Sequence, residues 1–503
     1  MRNFYVLFIY QLIFGFLFST VDLCAGKKVK VRILSTTDMH HYIEEGDEKG
    51  AGGLLRIASL IKKHRETLGK EKVLLLDSGD TIQGSVSGLA TKGEAIVDLI
   101  NHLEYDAWIL GNHELDFGIP QLYKLLNKTQ VSVLAGNFRM TKPYEKHFKS
   151  WKIFNKNGAK ICVLGMQASY LNQWFKGRLF EKYEVDKAYD HIMKEMPLIL
   201  KEKPHMIILV IHHGFLFKDN RGVNEVKEIA KRFPQIDLIL GGHTHQAHPG
   251  RNVFGVYYAQ AAYHCSHLGI VDAVIDLDKH EVLKLESYLE EASSEVLKDV
   301  DAVKVYQRWS QRVKDFSNKP IVKLKNEITS RGTPGKTCAM SSLIAQSIKA
   351  ESKADFSIHG RFSTKALSGE VTERDLYGVV PYENFIYVLT VTKDQLHKIM
   401  EEQIKYLSSR SFNGPEGFEL ILDKTKTKIL KLNLPFEKEK YTLAVNSRVA
   451  AGGGGRYIWL RDQIKSGSIP YKEIEVNSRQ AVRNFLEKSN GNFDFQAFIK
   501  EIK

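Results

Sequence analysis

Between residues 108 and 116 the chain reads Trp-Ile-Leu-Gly-Asn-His-Glu-Leu-Asp, an apolar run that ends in glycine and polar residues. An apolar run of this kind, followed by a helix-like stretch, is typical of a strand end in an α/β domain. In such domains catalytic side chains sit just beyond the carboxyl ends of the strands. The sequence therefore predicts a functional site around Asn112 and His113.

The same arrangement recurs at four other places in the N-terminal half. Each apolar run there ends in a motif rich in Asp, His or Gly: Asp38-Met39-His40, Gly79-Asp80, His212-His213-Gly214 and Gly241-Gly242-His243-Thr244-His245. Any one of these motifs is a weak signal, but five in succession indicate a shared site. Two divalent cations held roughly 3.5 to 4 Å apart need several nitrogen and oxygen ligands and one shared carboxylate. The motifs supply that chemistry.

With these motifs the chain resembles the calcineurin-like metallophosphatases, and within them the 5'-nucleotidase and UDP-sugar hydrolase family. The resemblance extends over nearly the whole chain after the first residues. It implies two divalent metal ions, of zinc, manganese, magnesium or cobalt. It also implies a first metal bound by Asp38, His40 and His245, a bridging Asp80, and a second metal bound by Asn112, His212 and His243. His212 is preferred to His213 because the family pattern is His-x-Gly.

His113 and Asp116 match the catalytic dyad of that family. Their spacing of three residues at a helix start lets the two side chains face each other, so that Asp116 orients the imidazole and favours its charged form. A carboxylate at a helix N-terminus is the alternative interpretation of Asp116. The implied mechanism is in-line attack on phosphorus by a metal-bound hydroxide, with His113 assisting at the phosphoryl or departing oxygen.

The resemblance is weaker in the substrate-binding part of the C-terminal half. The family's Asn-Gly-Gly motif and its terminal Arg are replaced by residues 358–363, and its Gly-Gly-Asp-Gly-aromatic motif by residues 452–457. Arg361 is the candidate for the phosphate contact, and Phe418 or Tyr457 for a ring that stacks on a base. A solvated Arg and two core aromatics are the alternative interpretations.

The pattern predicts an α/β domain joined by a helix to a smaller α+β domain, and the resemblance implies that the first is a metallophosphatase domain. The resemblance implies that the first of these is a two-sheet sandwich flanked by helices. The predicted divisions are a signal peptide over 1–26, the metallophosphatase domain over 27–292, a linker helix over 293–320, and a 5'-nucleotidase-type substrate domain over 321–503. The apolar run from Phe4 to Phe18 is short for a membrane span, and no later segment has the apolar length of a membrane helix.

We therefore expect a secreted or periplasmic protein, with lipid attachment at Cys24 as a minor alternative. The net charge of +13 comes from lysines scattered among acidic residues, which does not favour nucleic acid as a partner. The expected partner is a small phosphorylated substrate, and the expected activity is 5'-nucleotidase-like removal of phosphate. A cyclic nucleotide, a UDP-sugar, a non-nucleotide phosphate, or a non-catalytic binding role remain alternatives.

Overall fold

A computed structural model describes residues 27–47, 49–171, 183–216, 224–409 and 412–502. The predicted leader and Cys24 lie outside these residues. Among the described residues, no helix combines the length and apolarity needed to cross a membrane. The chain forms an α/β region and a smaller α+β region, as the sequence predicts, joined through a long helix.

The N-terminal domain is built on two six-stranded sheets. In each, four adjacent strands run parallel and the outer pairings are antiparallel. In spatial order the first contains Glu281–Glu291, His267–Asp276, Lys28–Thr36, Val73–Asp77, Ala107–Ile109 and Ser132–Leu134. The second contains Ala247–Val253, Val256–Ala261, Leu238–Leu240, Met206–Ile211, Ala159–Met166 and Trp151–Lys156. A small third sheet contains Lys146–His147, Phe138–Met140 and Tyr183–Val185.

Alternating side chains explain why these strands form a sandwich. Ile33 and Leu76 of the first sheet pack with Ile208 of the second in one buried cluster. Leu34 and Leu75 point the other way and pack with the helices. Because successive side chains of a strand alternate between faces, each sheet is buried on both sides. The N-terminal domain's helices are Leu54–Leu68, Val86–Thr91, Glu94–His102, Ile119–Lys128, Ala188–Lys201 and Val226–Arg232, with short 3₁₀ turns at Lys70–Lys72 and Asn112–Leu115.

The stretch predicted to link the domains contains the helix Val300–Ser317. Asp299 caps its N-terminus by accepting from the Ala302 backbone N–H at 2.8 Å. The indole of Trp309 donates to Asp98 of the N-terminal domain at 3.0 Å. This helix is therefore docked on the N-terminal domain.

The C-terminal region is an α+β arrangement around a five-stranded sheet in the order Gly414–Glu416, Phe356–His359, Tyr441–Asn446, Phe385–Val391 and Tyr471–Asn477. Smaller sheets pair Pro320–Lys323 with Glu370–Thr372, and Ile429–Asn433 with Glu419–Leu422 and Ile499–Glu501. The helices are Ala339–Ser352, Glu373–Val379, Lys393–Ile404, Ser447–Ala450, Ile458–Lys465 and Ser478–Lys488, with a 3₁₀ turn at Gly453–Gly455. The helix Glu373–Val379 contacts the N-terminal helix Val86–Thr91, so the two regions meet close to the strand ends.

Candidate active site

The five motifs meet at one edge of the sandwich, where the parallel strands of both sheets end. Five of the seven predicted ligands have left-handed backbone: Asp38 (φ 50°), His40 (49°), Asp80 (56°), His243 (71°) and His245 (54°). Non-glycine residues in this conformation are uncommon and cluster at functional sites. The surrounding fold therefore holds these side chains in conformations that an unconstrained chain would avoid.

The first predicted ligand set forms a compact group. Asp38, His40 and His245 each offer a ligand atom, all within 4.8 Å of one another. The Nδ1 atom of His40 lies 2.8 Å from the Gln83 carbonyl oxygen, so it carries the proton and leaves Nε2 as an acceptor. This Nε2 lies 2.9 Å from Nε2 of His245, which in turn lies 3.3 Å from Oδ1 of Asp38.

The second ligand set is arranged around Asp80 in the same way. Asp80, His212 and His243 also hold ligand atoms within 4.8 Å of one another. His212 Nδ1 lies 2.7 Å from the Ser78 carbonyl oxygen, and its Nε2 lies 3.0 Å from Oδ2 of Asp80. Asn112 joins this group through its Oδ1 atom, 3.1 Å from Nδ1 of His243. The structure thus brings all seven predicted residues together.

Asp80 lies between the two groups. Its Oδ2 atom is 3.0 Å from His212 and 3.9 Å from His40, one residue of each group. His213 instead faces away, with its ring nitrogens 3.0 and 3.1 Å from the backbone nitrogens of Ser169 and Glu225. The structure thus places His212, and not His213, beside Asp80.

The donor set fits two cations. Nitrogen lone pairs and carboxylate oxygens converge in a buried space, and acceptors repel one another unless a proton or a cation lies between them. Burial lowers the pKa of His40 to about 4 and that of His243 to about 3. Both rings are therefore neutral at pH 7, which is the form that binds a metal.

His113 and Asp116 form a pair beside the proposed bridging residue. Nδ1 of His113 lies 2.6 Å from Oδ2 of Asp116, and its backbone N–H donates to Asp80 at 2.8 Å. Burial lowers the pKa of His113, but the carboxylates of Asp116 and Asp80 outweigh it and raise the pKa to about 10. The His113 side chain is 24% exposed and that of Asp116 only 7%, so the imidazole faces the open side of the site.

Residues 31–247 match the calcineurin-like phosphoesterase family, and residues 317–462 match the 5'-nucleotidase C-terminal domain. The chain belongs to the calcineurin-like phosphoesterases of the 5'-nucleotidase type. It is accordingly a metal-dependent phosphoester hydrolase, with the two-domain architecture of that family.

Known proteins similar to this phosphoesterase cover both of its domains. Protein 5NUC of Lutzomyia longipalpis is 25% identical over 76% of this chain and 74% of its own. The 5'-nucleotidase of Vibrio vulnificus is 25% identical over 94% of this chain and 92% of its own. The crystal structure of a putative 5'-nucleotidase from Staphylococcus aureus has the same fold, with a TM-score of 0.79 and 22% identity, over 94% of this chain and 100% of its own.

The residues of the C-terminal domain that were predicted to bind substrate are instead buried or hydrogen-bonded within that domain. Phe418 is 1% exposed and packs against Phe356 with ring centroids 5.2 Å apart, and Tyr457 is 2% exposed in the same core. Arg361 donates to the backbone carbonyls of Ser330 and Gly332. The prediction that either ring offers a stacking face is wrong for this conformation because both are core residues. The guanidinium of Arg361 is already engaged within its own domain.

A run of aromatic rings beside the ligands was not predicted. Tyr42 stacks on His264 with centroids 3.7 Å apart, and Tyr263 stacks on His245 at 5.1 Å. Burial raises the pKa of Tyr42, and Tyr382 of the C-terminal domain and Tyr263 act in the same direction. Tyr263 and Tyr382 are 40% and 39% exposed. Single tyrosines outside a motif carry no sequence signal, although Tyr382 lies in Pro381-Tyr382-Glu383-Asn384, which resembles the family frame.

Proposed function

We propose that this protein is an exported phosphomonoesterase with two metal ions that removes phosphate from nucleotides in the manner of a 5'-nucleotidase. The main support for this proposal is that two groups of ligand atoms meet at Asp80, with the pair His113 and Asp116 directly beside them. The pattern of residues 1–26, with one early cation and a short apolar run, supports export.

Asp38, His40 and His245 would hold one cation, and Asn112, His212 and His243 the other, with Asp80 shared. When bound, such cations offset negative charge on a phosphoryl group and acidify water. Imidazole and carboxylate donors suit zinc, manganese and cobalt, whereas magnesium prefers oxygen donors.

His113 would act on the substrate directly. Asp116 holds Nδ1 of the ring, so that Nε2 remains for the phosphoryl oxygens or for the departing oxygen. The two nearby carboxylates keep the imidazole charged at neutral pH, and a charged imidazole can donate a proton to the departing oxygen. Asp116 thereby orients the ring of His113 and, together with Asp80, favours its charged form.

The leaving group would extend toward the aromatic rings that border the site. Tyr263 belongs to the N-terminal domain and Tyr382 to the C-terminal domain, and both rings have exposed surface that a base could cover. These rings support a nucleoside as the leaving group better than Phe418 or Tyr457, which are buried.

A hydrolysis panel tests the proposal. The purified full chain would be supplied with Mn²⁺, Zn²⁺, Co²⁺ or Mg²⁺ in turn and assayed with AMP, 2',3'-cyclic AMP, UDP-glucose, ribose 5-phosphate and nitrophenyl phosphate. We expect phosphate release from AMP with a higher kcat/KM than from ribose 5-phosphate. Hydrolysis of the cyclic nucleotide or UDP-glucose in preference to AMP would contradict the assigned substrate. Turnover of none of the five compounds would contradict the phosphomonoesterase activity itself.

A further inference from the structure

One buried carboxylate near the site has no part in the proposed chemistry. Glu114 is 0% exposed, and its carboxylate accepts hydrogen bonds from four backbone N–H groups. Oε2 accepts from Gly111 at 2.5 Å and from Asp80 at 3.0 Å. Oε1 accepts from Thr81 at 2.6 Å and from Ile82 at 3.2 Å.

These donors belong to two different loops. Asp80, Thr81 and Ile82 follow the strand Val73–Asp77, whereas Gly111 follows the strand Ala107–Ile109 and directly precedes Asn112. From this arrangement we propose that Glu114 is a positioning residue that fixes the Asp80 loop to the Asn112 loop and so sets the spacing of ligands for the two metals. The proposal rests on the metal centre described under the proposed function.

The close approach of the two loops supports this role. A Cβ atom on Gly111 would collide with the backbone nitrogen and carboxylate of Asp80, and one on Gly79 would meet the Gly111 backbone. The backbones therefore lie in direct contact, which only glycine allows. A second link is the hydrogen bond from the His113 backbone N–H to Oδ1 of Asp80 at 2.8 Å.

The geometry requires a carboxylate and not an amide. Each oxygen of Glu114 accepts from two N–H donors, so both ends of the group must be acceptors. In Glu114→Gln one end becomes an NH₂ group that faces two further donors. Whichever end this is, two hydrogen bonds are lost. At Oε1 both come from the Asp80 loop, and at Oε2 one comes from each loop. Glu114→Asp keeps the charge but is one methylene shorter and cannot reach both loops equally well.

The experiment measures Mn²⁺ binding and is independent of turnover. The full chain is stripped with a chelator and titrated with Mn²⁺ by isothermal titration calorimetry, for wild type, Glu114→Gln and Glu114→Asp. Partners outside the coordination sphere typically contribute about 10- to 100-fold to metal affinity. We expect Glu114→Gln to weaken Mn²⁺ binding by about that factor and Glu114→Asp by less.

Glu416→Gln is the matched control. Glu416 is also a buried carboxylate, 4% exposed, but it lies in the C-terminal domain and accepts from Ser342 at 2.9 Å. Its replacement tests the effect of losing a buried carboxylate as such, and it should leave the Mn²⁺ affinity unchanged.

Three results would overturn the inference. Wild-type affinity for Mn²⁺ in a folded Glu114→Gln or Glu114→Asp protein would show that the loops keep their spacing without the full set of bonds. An equal loss of affinity in Glu416→Gln would show a general effect of destabilisation. No Mn²⁺ binding by the wild type would refute the metal centre itself, and the inference with it. If the Glu114 variants keep wild-type Mn²⁺ affinity and the enzyme hydrolyses its substrate, the proposed function stands and only this role of Glu114 is removed.

Discussion

The N-terminal strand ends and the C-terminal loops use their polar and aromatic residues in opposite ways. At the N-terminal edge, seven predicted ligands point toward one another, and five of them do so from left-handed backbone. In the C-terminal domain, Arg361 bonds to backbone carbonyls of its own domain and Tyr457 fills the core. The N-terminal residues converge on a space that a metal ion could occupy. The C-terminal residues named here instead maintain the fold of their own domain.

This difference shows which residue types in a motif allow a reader of the sequence to predict where their side chains lie in the structure. Metal-ligand chemistry needs particular donor atoms, so Asp and His at strand ends have few other reasons to occur together. A Tyr or an Arg serves packing, hydrogen bonding and recognition equally well. The ligand-type residues of the motifs therefore lie together in the structure, whereas the rings predicted to stack on a base are buried.

The largest effect is expected at the residue that the two ligand groups share. Asp80→Asn replaces a carboxylate that lies near both His40 and His212, so both cations should be lost together. Loss of metal affinity should exceed about 100-fold, the upper value for partners outside the coordination sphere. Elemental analysis and activity would be measured on the same sample. Full metal content with full activity would remove Asp80 from the centre.

The next effect concerns the catalytic pair. His113→Ala should lower kcat by about 10² to 10⁴-fold, because the imidazole is assigned to proton transfer and charge stabilisation. Metal content should stay at the wild-type level. His113 also lies with His40 and Asp80 in a group that could hold an ion. Loss of metal in His113→Ala would therefore reassign this residue as a ligand.

A third test separates packing from recognition in the C-terminal domain. Tyr457→Ala removes a ring that is 2% exposed, and deleting a large buried side chain costs about 3 to 5 kcal/mol of stability. We expect a lower unfolding temperature and an unchanged ratio of kcat/KM for AMP to that for ribose 5-phosphate. Arg361→Ala is the companion change, for which we expect the same unchanged ratio. A ratio that collapses in either variant would restore that residue to the substrate site.

The smallest effect is a pH dependence of stability in the C-terminal domain. Burial raises the pKa of Glu416 from 4.5 to about 7, while the hydrogen bond from Ser342 acts in the opposite direction. The folded state thus holds this proton more tightly than the unfolded state, so the free energy of unfolding falls as pH rises from 4.5 to 7. Relative to wild type, Glu416→Gln should gain about 1 to 3 kcal/mol between pH 4.5 and pH 8. Parallel urea denaturation curves at both pH values provide the measurement, and an equal difference at both would contradict it.

Much of the fold could be predicted because the apolar runs are short and each ends in glycine or polar residues. The apolar run before Gly111 contains the strand Ala107–Ile109, and the stretch 293–320, predicted to be a linker helix, contains the helix Val300–Ser317. The segment from Leu420 to Leu434 forms two separate strands, because a turn at residues 423–428 interrupts it. Hydrogen bonds from the backbone to Asp423 stabilise that turn.

The remaining part of the site depends on tertiary contacts. Glu114 stands in the quoted motif, but three of its four hydrogen bonds come from a loop more than thirty residues earlier in the chain. Tyr382 lies in the C-terminal domain and acts on Tyr42 of the N-terminal domain across the contact between the two domains. Periodicity and spacing describe neighbours along the chain, so they contain no information on either arrangement.

The left-handed ligand residues limit how this site can change during evolution. At five positions a substitution must satisfy two independent demands, a donor atom of the right kind and a backbone conformation that most side chains avoid. Branched residues such as Val, Ile and Thr fail the second demand, and Gly fails the first. Asn tolerates the conformation but replaces a charged or imidazole donor with a neutral amide. Few single substitutions would therefore keep both the donor atoms and the backbone conformation of this proposed ligand set.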